Sequence, residues 1–206
     1  MENDVKEFLS ELLKQLKSID YIKPEDIPNI DLYMDQVTTF MDEQLAASKR
    51  YESDKILTKT MINNYAKNNL LPSPDKKKYS KEHVLTLLFI YYFKNILSIN
   101  DIRSILNPLT EKYFGNDDGF TMQDVYTEVF GLEAEESQKL LKDLGKKYKI
   151  AGETFENFPD EDQKFLHTFS FICMLSFDVY IKKMLIERMI DNLNEEKEAS
   201  KKTGSN

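Results

Sequence analysis

The residues with the most useful chemistry lie between Thr58 and Tyr79, in the segment "TKTMINNYAKNNLLPSPDKKKY". Lysine ammonium groups bind phosphates, hydroxyl groups bind phosphates or base edges, and an asparagine amide can bond bidentately to adenine. This combination is typical of a surface that recognises duplex DNA. The candidate contact residues are Thr58, Lys59, Thr60, Asn63, Asn64, Tyr65, Lys67, Lys76, Lys77, Lys78 and Tyr79.

Catalytic and metal-binding chemistry has little support. His83 and His167 are the only histidines, and neither has the spacing of a metal site or a catalytic triad. We expect His83 to be solvated in the first turn of a helix and His167 to be a core or interface residue. Cys173 lies among apolar residues. Burial among them is expected to raise the pKa of its thiol, which makes Cys173 a poor nucleophile. With no glycine-rich phosphate loop either, the sequence predicts neither an enzyme nor a cofactor or metal.

The charge of the chain is unevenly distributed. The 206 residues carry a net charge of −8, but Lys55 to Arg103 contains nine basic residues and only Asp75, Glu82 and Asp101 as acids. This segment therefore carries +6 and the remainder −14. Such asymmetry favours a local basic surface for an anionic partner. The alternative interpretation is a solvated lysine-rich face that has no partner.

The start of the chain, "MENDV", has none of the features of a secretory signal peptide, so we expect a cytoplasmic protein. The most apolar stretch, Phe165 to Ile181, includes histidine, serine, threonine and aspartate. It is also shorter than the roughly 20 apolar residues of a membrane span. We interpret it as a buried helix and expect no membrane partner.

Apolar periodicity predicts helices along the chain and therefore an all-α fold. Apolar residues from Val5 to Ile19, at three-and-four spacing, predict an amphipathic helix within residues 1–27. A second helix is predicted from residue 32 to about residue 51. Both are amphipathic, so each has one apolar face to bury.

The basic segment has clear helix start and stop signals. Thr58 is a typical N-cap for a helix over residues 58–68. Asn69 suits the left-handed position after that helix, and Pro72 prevents its continuation. The basic loop that follows, residues 72–79, has room for a short β-ribbon.

Two further helices complete a predicted domain over residues 28–110. Ser80 caps a strongly apolar helix, and Ser98 with Asp101 forms a capping box at the start of the next one. Asn107-Pro108 is expected to end that helix.

The C-terminal region, residues 111–206, is predicted to be helical and acidic. A charged helix over residues 133–148 and a linker over residues 152–159 precede a long final helix, from Asp160 to about Leu193. That last helix is apolar nearly all round and needs cover on several sides. Either the rest of the chain or the same helix of a second subunit can supply it, and the second case predicts a homodimer through the C-terminal helix.

In this segment a helix that ends abruptly is followed by a basic loop and a further helix. This order is the layout of a winged helix-turn-helix. In that arrangement the helix over residues 58–68 enters the major groove, and the loop over residues 72–79 is a wing that lies along phosphates.

Residues 57–106 resemble the DNA-binding domain of MerR-type regulators, which also pair through a long C-terminal helix. With "IPNIDLYMDQVTTFMDEQL", residues 27–45, the stretch is similar to the bacterial domain-of-unknown-function family 1836, regarded as MerR-like and without established activity. The residues shared with the MerR-type domain include Ile62, Tyr65, Leu70, Leu71, Pro72, Tyr79, Leu97, Ser98 and Ile99. The chain departs from the MerR pattern at Asn63, where an arginine is usual, at Ala66 and at Asn69.

The leading hypothesis is therefore a DNA-binding transcriptional regulator with double-stranded DNA as partner. The alternative is a protein-interaction module that retains a winged-helix scaffold without DNA binding. The two differ in whether the lysines of the basic loop bind a duplex.

Overall fold

The computed structural model describes residues 22–116 and 119–203, together with Glu7, Ser10 and Lys14, and it is mostly helical. The predicted all-α class is confirmed apart from one small sheet. The helix predicted within residues 1–27 lies largely outside the described residues. The elements are β1 (Leu32–Tyr33), α1 (Met34–Gln44), α2 (Lys59–Lys67), β2 (Lys78–Tyr79), α3 (Lys81–Phe93), α4 (Ile99–Tyr113), α5 (Met122–Gly131), α6 (Glu133–Gly152) and α7 (Asp160–Thr203).

The chain divides into two compact units. The central unit contains residues 21–131 and 186–206. The other unit contains residues 1–20 and 132–185 and is called the two-helix unit after α6 and the first part of α7, which its described range 132–185 contains. The last helix, α7, contributes to both units. The domain boundaries predicted at residues 27 and 110 stay a prediction.

The core of the central unit surrounds α3. Every residue from His83 to Tyr91 is buried, because this helix has no polar face and must be covered on all sides. Helices α4 and α5 and strand β2 pack against it. The buried hydroxyl group of Thr86 donates to the carbonyl oxygen of Glu82 (2.8 Å), so it is not left unsatisfied.

Helix α2 begins and ends where the sequence predicts. The hydroxyl oxygen of Thr58 accepts a hydrogen bond from the backbone N–H of Met61. After the helix, Asn69 takes a left-handed conformation (φ 53°). The N–H groups of Asn69 and Leu70 then bond back to the carbonyls of Ala66 and Tyr65, a Schellman motif that closes the helix.

The β-ribbon differs from the expectation. Within residues 72–79 only a tight turn forms, with a bridge between Asp75 and Lys78. Strand β2 pairs instead with β1, which precedes α1, in antiparallel register that places Leu32 opposite Tyr79 and Tyr33 opposite Lys78. A pairing across about 45 residues has no local sequence signal.

The predicted end of α4 at Pro108 is wrong, since α4 continues through it to Tyr113. A proline lacks the N–H that would bond to the carbonyl four residues earlier, here that of Ser104. The ammonium group of Lys197 in α7 donates to this carbonyl oxygen instead (2.7 Å). A distant side chain thus satisfies the group that the proline leaves open, which offsets part of the cost of the proline inside the helix.

In the two-helix unit, α6 and the first part of α7 run antiparallel. Tyr148 packs edge-on against Phe171 (5.4 Å between ring centres), and Lys147 pairs with Asp178. The hydroxyl groups of Thr154 and Ser170 are 3.1 Å apart. Helix α7 extends past the predicted end at Leu193 to Thr203. Among the described residues, no helix has an apolar stretch that could cross a membrane.

The left-handed conformation of Asn69 gives a stability prediction. Glycine adopts this conformation without a Cβ penalty, whereas alanine is strained there. We expect Asn69→Ala to lower the free energy of unfolding by about 1 kcal/mol relative to Asn69→Gly. Urea unfolding of the two variants measures the difference, and equal midpoints at equal slopes would contradict the assigned role of Asn69.

Candidate nucleic-acid interface

Helix α2 presents one polar stripe to solvent. Lys59, Asn63 and Lys67 are spaced four residues apart and are all exposed, as are Thr60 and Asn64 beside them. Ile62 on the opposite face is completely buried, so the orientation of the stripe is fixed by the core. These predicted contact residues therefore share one surface, which can hydrogen-bond a polyanion.

The connection before α2 is held by the end of α3. The ammonium group of Lys94 donates to the carbonyl oxygen of Ile56 (2.6 Å) and lies 4.9 Å from the centre of the Tyr91 ring. Burial lowers the pKa of Lys94. The hydroxyl group of Tyr91 hydrogen-bonds to that of Ser48. The sequence identifies Lys94 only as a basic residue, because its hydrogen-bond partner Ile56 is 38 residues away.

The turn of the basic hairpin, defined here as residues 72–79, consists of two lysines. Lys76 and Lys77 both have positive φ (46° and 66°), and the N–H of Lys78 donates to the carbonyl oxygen of Asp75 (2.8 Å). This is the geometry of a type I′ turn, where asparagine and glycine are the favoured residues. A lysine costs about 1 kcal/mol more than glycine at such a position. Both lysines are exposed, so the turn displays two charges at an energetic cost.

Residues at the start of α1 connect the basic hairpin to α2. Lys78 lies over the ring of Tyr33, 5.7 Å from its centre. Asp35, two residues later, forms an ion pair with Lys59 at the start of α2. Lys59 and Lys78 therefore both contact residues at the N-terminal end of α1. An anion that binds Lys59 must compete with the Asp35 carboxylate.

Two predicted contact residues are placed in the core. Tyr65 and Tyr79 are buried, and burial raises the pKa of both phenols. Their apolar packing positions α2 and β2, so the two rings belong to the core and not to the exposed interface. Thr58 is half-buried because its side-chain oxygen caps α2.

His83 is buried, so the expectation that it would be solvated is wrong. Its Nδ1 atom accepts a hydrogen bond from the backbone N–H of Ser80 (3.0 Å). Ser80 is the N-cap of α3 and His83 is the third residue of the helix, so the two form a capping box. The ring packs edge-on against Tyr79 and Phe114, and among the described residues no group meets hydrogen-bonding geometry with its buried Nε2.

Burial lowers the pKa of His83. The carbonyls of Ser73 and Pro72 and the charge of Asp31 act in the opposite direction and are outweighed. The backbone of Ser73 and Pro72 belongs to the basic hairpin, so the protonation of His83 is linked to the packing of that hairpin.

The other candidate groups lie in the two-helix unit. His167 Nε2 is 2.8 Å from the carbonyl oxygen of Thr154, in a half-buried position. Cys173 is exposed, so its predicted apolar burial is wrong. No group of three or more His, Cys, Asp or Glu side chains among the described residues could hold a metal ion.

Comparison with known proteins gives one result. Residues 22–129, more than half of the chain, match the model of a family described as Domain of unknown function (DUF1836). No curated protein and no solved structure matches the chain.

The burial of His83 predicts a pH-dependent stability. A lowered pKa in the folded state means that the unfolded chain binds the proton more readily, so stability is present above about pH 6.5 and is lost as the pH falls below it. We expect the free energy of unfolding to decrease by at most about 1.4 kcal/mol per pH unit from this group.

Urea unfolding between pH 7.5 and 5 measures this dependence. His83→Gln is the control, because glutamine can still accept the N–H of Ser80 but does not titrate. Its stability should change less with pH than that of the unmodified protein, and identical pH dependence in the two proteins would contradict the assignment.

Proposed function

The chain belongs to the DUF1836 family, whose function is unknown, and we propose that it is a transcriptional regulator that binds double-stranded DNA. The observation that carries the proposal is the meeting of two lysine-bearing elements at the start of α1, through the contacts Asp35–Lys59 and Tyr33–Lys78. A surface with charges on both an exposed helix and a tight turn can follow the phosphates of one duplex. We expect this regulator to act in the cytoplasm.

The proposal includes a MerR-like winged helix-turn-helix. In it α1 and α2 are the two helices of the motif, the basic hairpin is the wing, and α2 enters the major groove. The order of these elements supports this assignment. The connection between α1 and α2, residues 45–58, is longer than the usual 3–4 residues of such a motif, and it is stabilised by Lys94.

Each part of the interface has a separate role in the proposal. Asn63 and Asn64, exposed on α2, read adenine edges. Lys67, Lys76 and Lys77 bind phosphates. The rest of the chain is strongly acidic, which orients the basic surface toward the duplex and weakens binding in other orientations.

The alternative, a protein-interaction module, is favoured by a different observation. The first part of α7 exposes large apolar side chains, among them Phe165 (70% exposed), Phe169, Ile172 and Tyr180, on one face of the helix. A soluble monomer rarely leaves such a contiguous apolar face uncovered. In the regulator that we propose, a second copy of the chain covers this face and forms a homodimer through the C-terminal helix.

The exposed apolar area of this stretch approaches that of a dimer interface. A large side chain buries roughly 150 Å² or more when it is fully covered. Eight apolar side chains between Phe165 and Leu185 are exposed by about half or more, and most of them lie on one half of the helix. Pairing through that half would bury several hundred Å² per subunit, which approaches the roughly 800 Å² of a standard interface.

Substitutions in the turn of the basic hairpin test DNA binding separately from folding. Lys76→Asn with Lys77→Gly places the favoured residues of a type I′ turn at both positions. We expect the free energy of unfolding to rise by roughly 1 kcal/mol, while duplex affinity falls. The slope of log affinity against log salt should decrease in magnitude by about 2.

Fluorescence anisotropy with a labelled duplex, from about 50 mM salt upward, measures this binding. Lys142→Asn with Lys182→Gly removes the same charge from exposed positions in the two-helix unit and should leave the salt slope unchanged. Selection from a random duplex pool then tests base reading, which Asn63→Ala should relax. Undetectable binding at low salt, or equal effects of the two double variants, would refute the proposed interface.

Light scattering tests the homodimer. We expect a mass of twice 24.2 kDa at micromolar concentration. Phe169→Glu, which places a charge in the exposed apolar face, should shift the mass to that of a monomer. Lys164→Glu, exposed on the same helix but outside that face, is the control. A monomer mass for the unmodified protein would remove the dimer and leave DNA binding to be judged by its own test.

A further inference from the structure

A small apolar cavity lies within the central unit, between the end of α3, α4 and the last part of α7. Its volume is about 290 Å³, and its lining includes Phe93, Leu97, Ile105 and Ile190. Met189 and Leu193 also line it and are about half-exposed. Only apolar side chains of the described residues contribute to the lining, so a hydrocarbon group is the ligand chemistry that suits it.

Lys197 of α7 contacts α4 next to one of the lining residues of this cavity. Lys197 follows Leu193 by one turn on the same face of α7. Its ammonium group donates to the carbonyl oxygen of Ser104, the residue before Ile105 in α4. That carbonyl is open because Pro108 cannot donate to it. The position of Lys197 at the cavity is therefore set by a backbone group and not by an acidic partner.

The ammonium group has capacity for a further ligand. It offers three donors, of which Ser104 takes one. Among the described residues, no carboxylate forms a salt bridge with Lys197. On the neighbouring face of α4, Asp101 accepts hydrogen bonds from Ser98. On α7, Glu196 is exposed to solvent.

We propose that this cavity binds an unbranched aliphatic carboxylate, with the hydrocarbon chain inside and the carboxylate on Lys197. An apolar cavity of about 150 Å³ holds benzene, so a cavity of this size suits a chain of roughly eight carbons. The carboxylate gains a charge-assisted hydrogen bond at the edge, and the chain covers apolar surface that otherwise faces water.

The turn at the end of α3, residues 93–97, lines the cavity and also contacts the connection before α2. Phe93 and Leu97 flank Lys94, whose ammonium group holds the carbonyl of Ile56 just before α2. A ligand in the cavity contacts the turn that fixes this bond. Its influence on DNA affinity rests on the proposed function, whereas ligand binding itself can be measured without DNA.

The test uses the full chain with methyl-labelled isoleucine and methionine, titrated with octanoate and followed by NMR. We expect saturable shifts of the methyl resonances of Ile105, Met189 and Ile190. Butyrate, which has the same charge and a short chain, should give none. Octan-1-ol, which lacks the charge, should bind more weakly than octanoate.

Two variants separate the parts of the site. Lys197→Gln retains a donor for Ser104 but no charge, and it should weaken octanoate binding about tenfold while leaving octan-1-ol unaffected. Met189→Glu, at the exposed edge, should abolish binding of octanoate. Lys182→Gln, an exposed lysine elsewhere on α7, is the matched control and should bind as the unmodified protein does.

Three results would overturn the proposal. One is the absence of saturable shifts with octanoate, and another is equal octanoate affinity of Lys197→Gln and the control variant. The third is a set of shifts that follows protein concentration instead of octanoate, because a second copy of the chain would then occupy the cavity. None of these outcomes depends on whether the protein binds DNA.

Discussion

The burial of α3 on all sides is the constraint on which the central unit depends. A helix with no polar face can be stable in water only if other elements cover its whole circumference. Strand β2 covers one side through Tyr79, and α4 and α5 cover others. The basic hairpin and α2 take their positions from this packing, since Tyr79 and Tyr65 are buried members of the same core. The exposed lysines and asparagines are therefore carried by rigid elements.

Acidic and aromatic residues at the start of α1 organise the positive charges. Asp35 pairs with Lys59, and Lys78 lies over the ring of Tyr33, so both lysines contact residues at the start of α1. The same carboxylate competes with any phosphate for Lys59. In the turn, Lys76 and Lys77 occupy a conformation that other residues adopt at lower cost. Strain that a domain tolerates at an exposed position is a frequent property of functional surfaces.

The features that the sequence predicted correctly are those determined within four or five residues. The cap at Thr58, the stop at Asn69 and the capping box at Ser98 depend only on neighbouring groups. The missed features depend on distant partners. The helix passes through Pro108, and the carbonyl that this proline leaves open is satisfied by Lys197, 93 residues away in sequence. His83 is buried by Phe114, and β2 pairs with a strand that precedes α1.

The hydrogen bond between Lys197 and Ser104 also bears on where the folding unit ends. The region shared with the family stops at residue 129, yet Ile190 is buried with the core of that region, and Lys197 satisfies a carbonyl within it. A fragment cut at the family boundary would lose both, and it would expose the apolar side of α3 and α4 that α7 covers. The region that the family shares and the compact unit of the fold are thus different parts of this chain, and a truncation should follow the second.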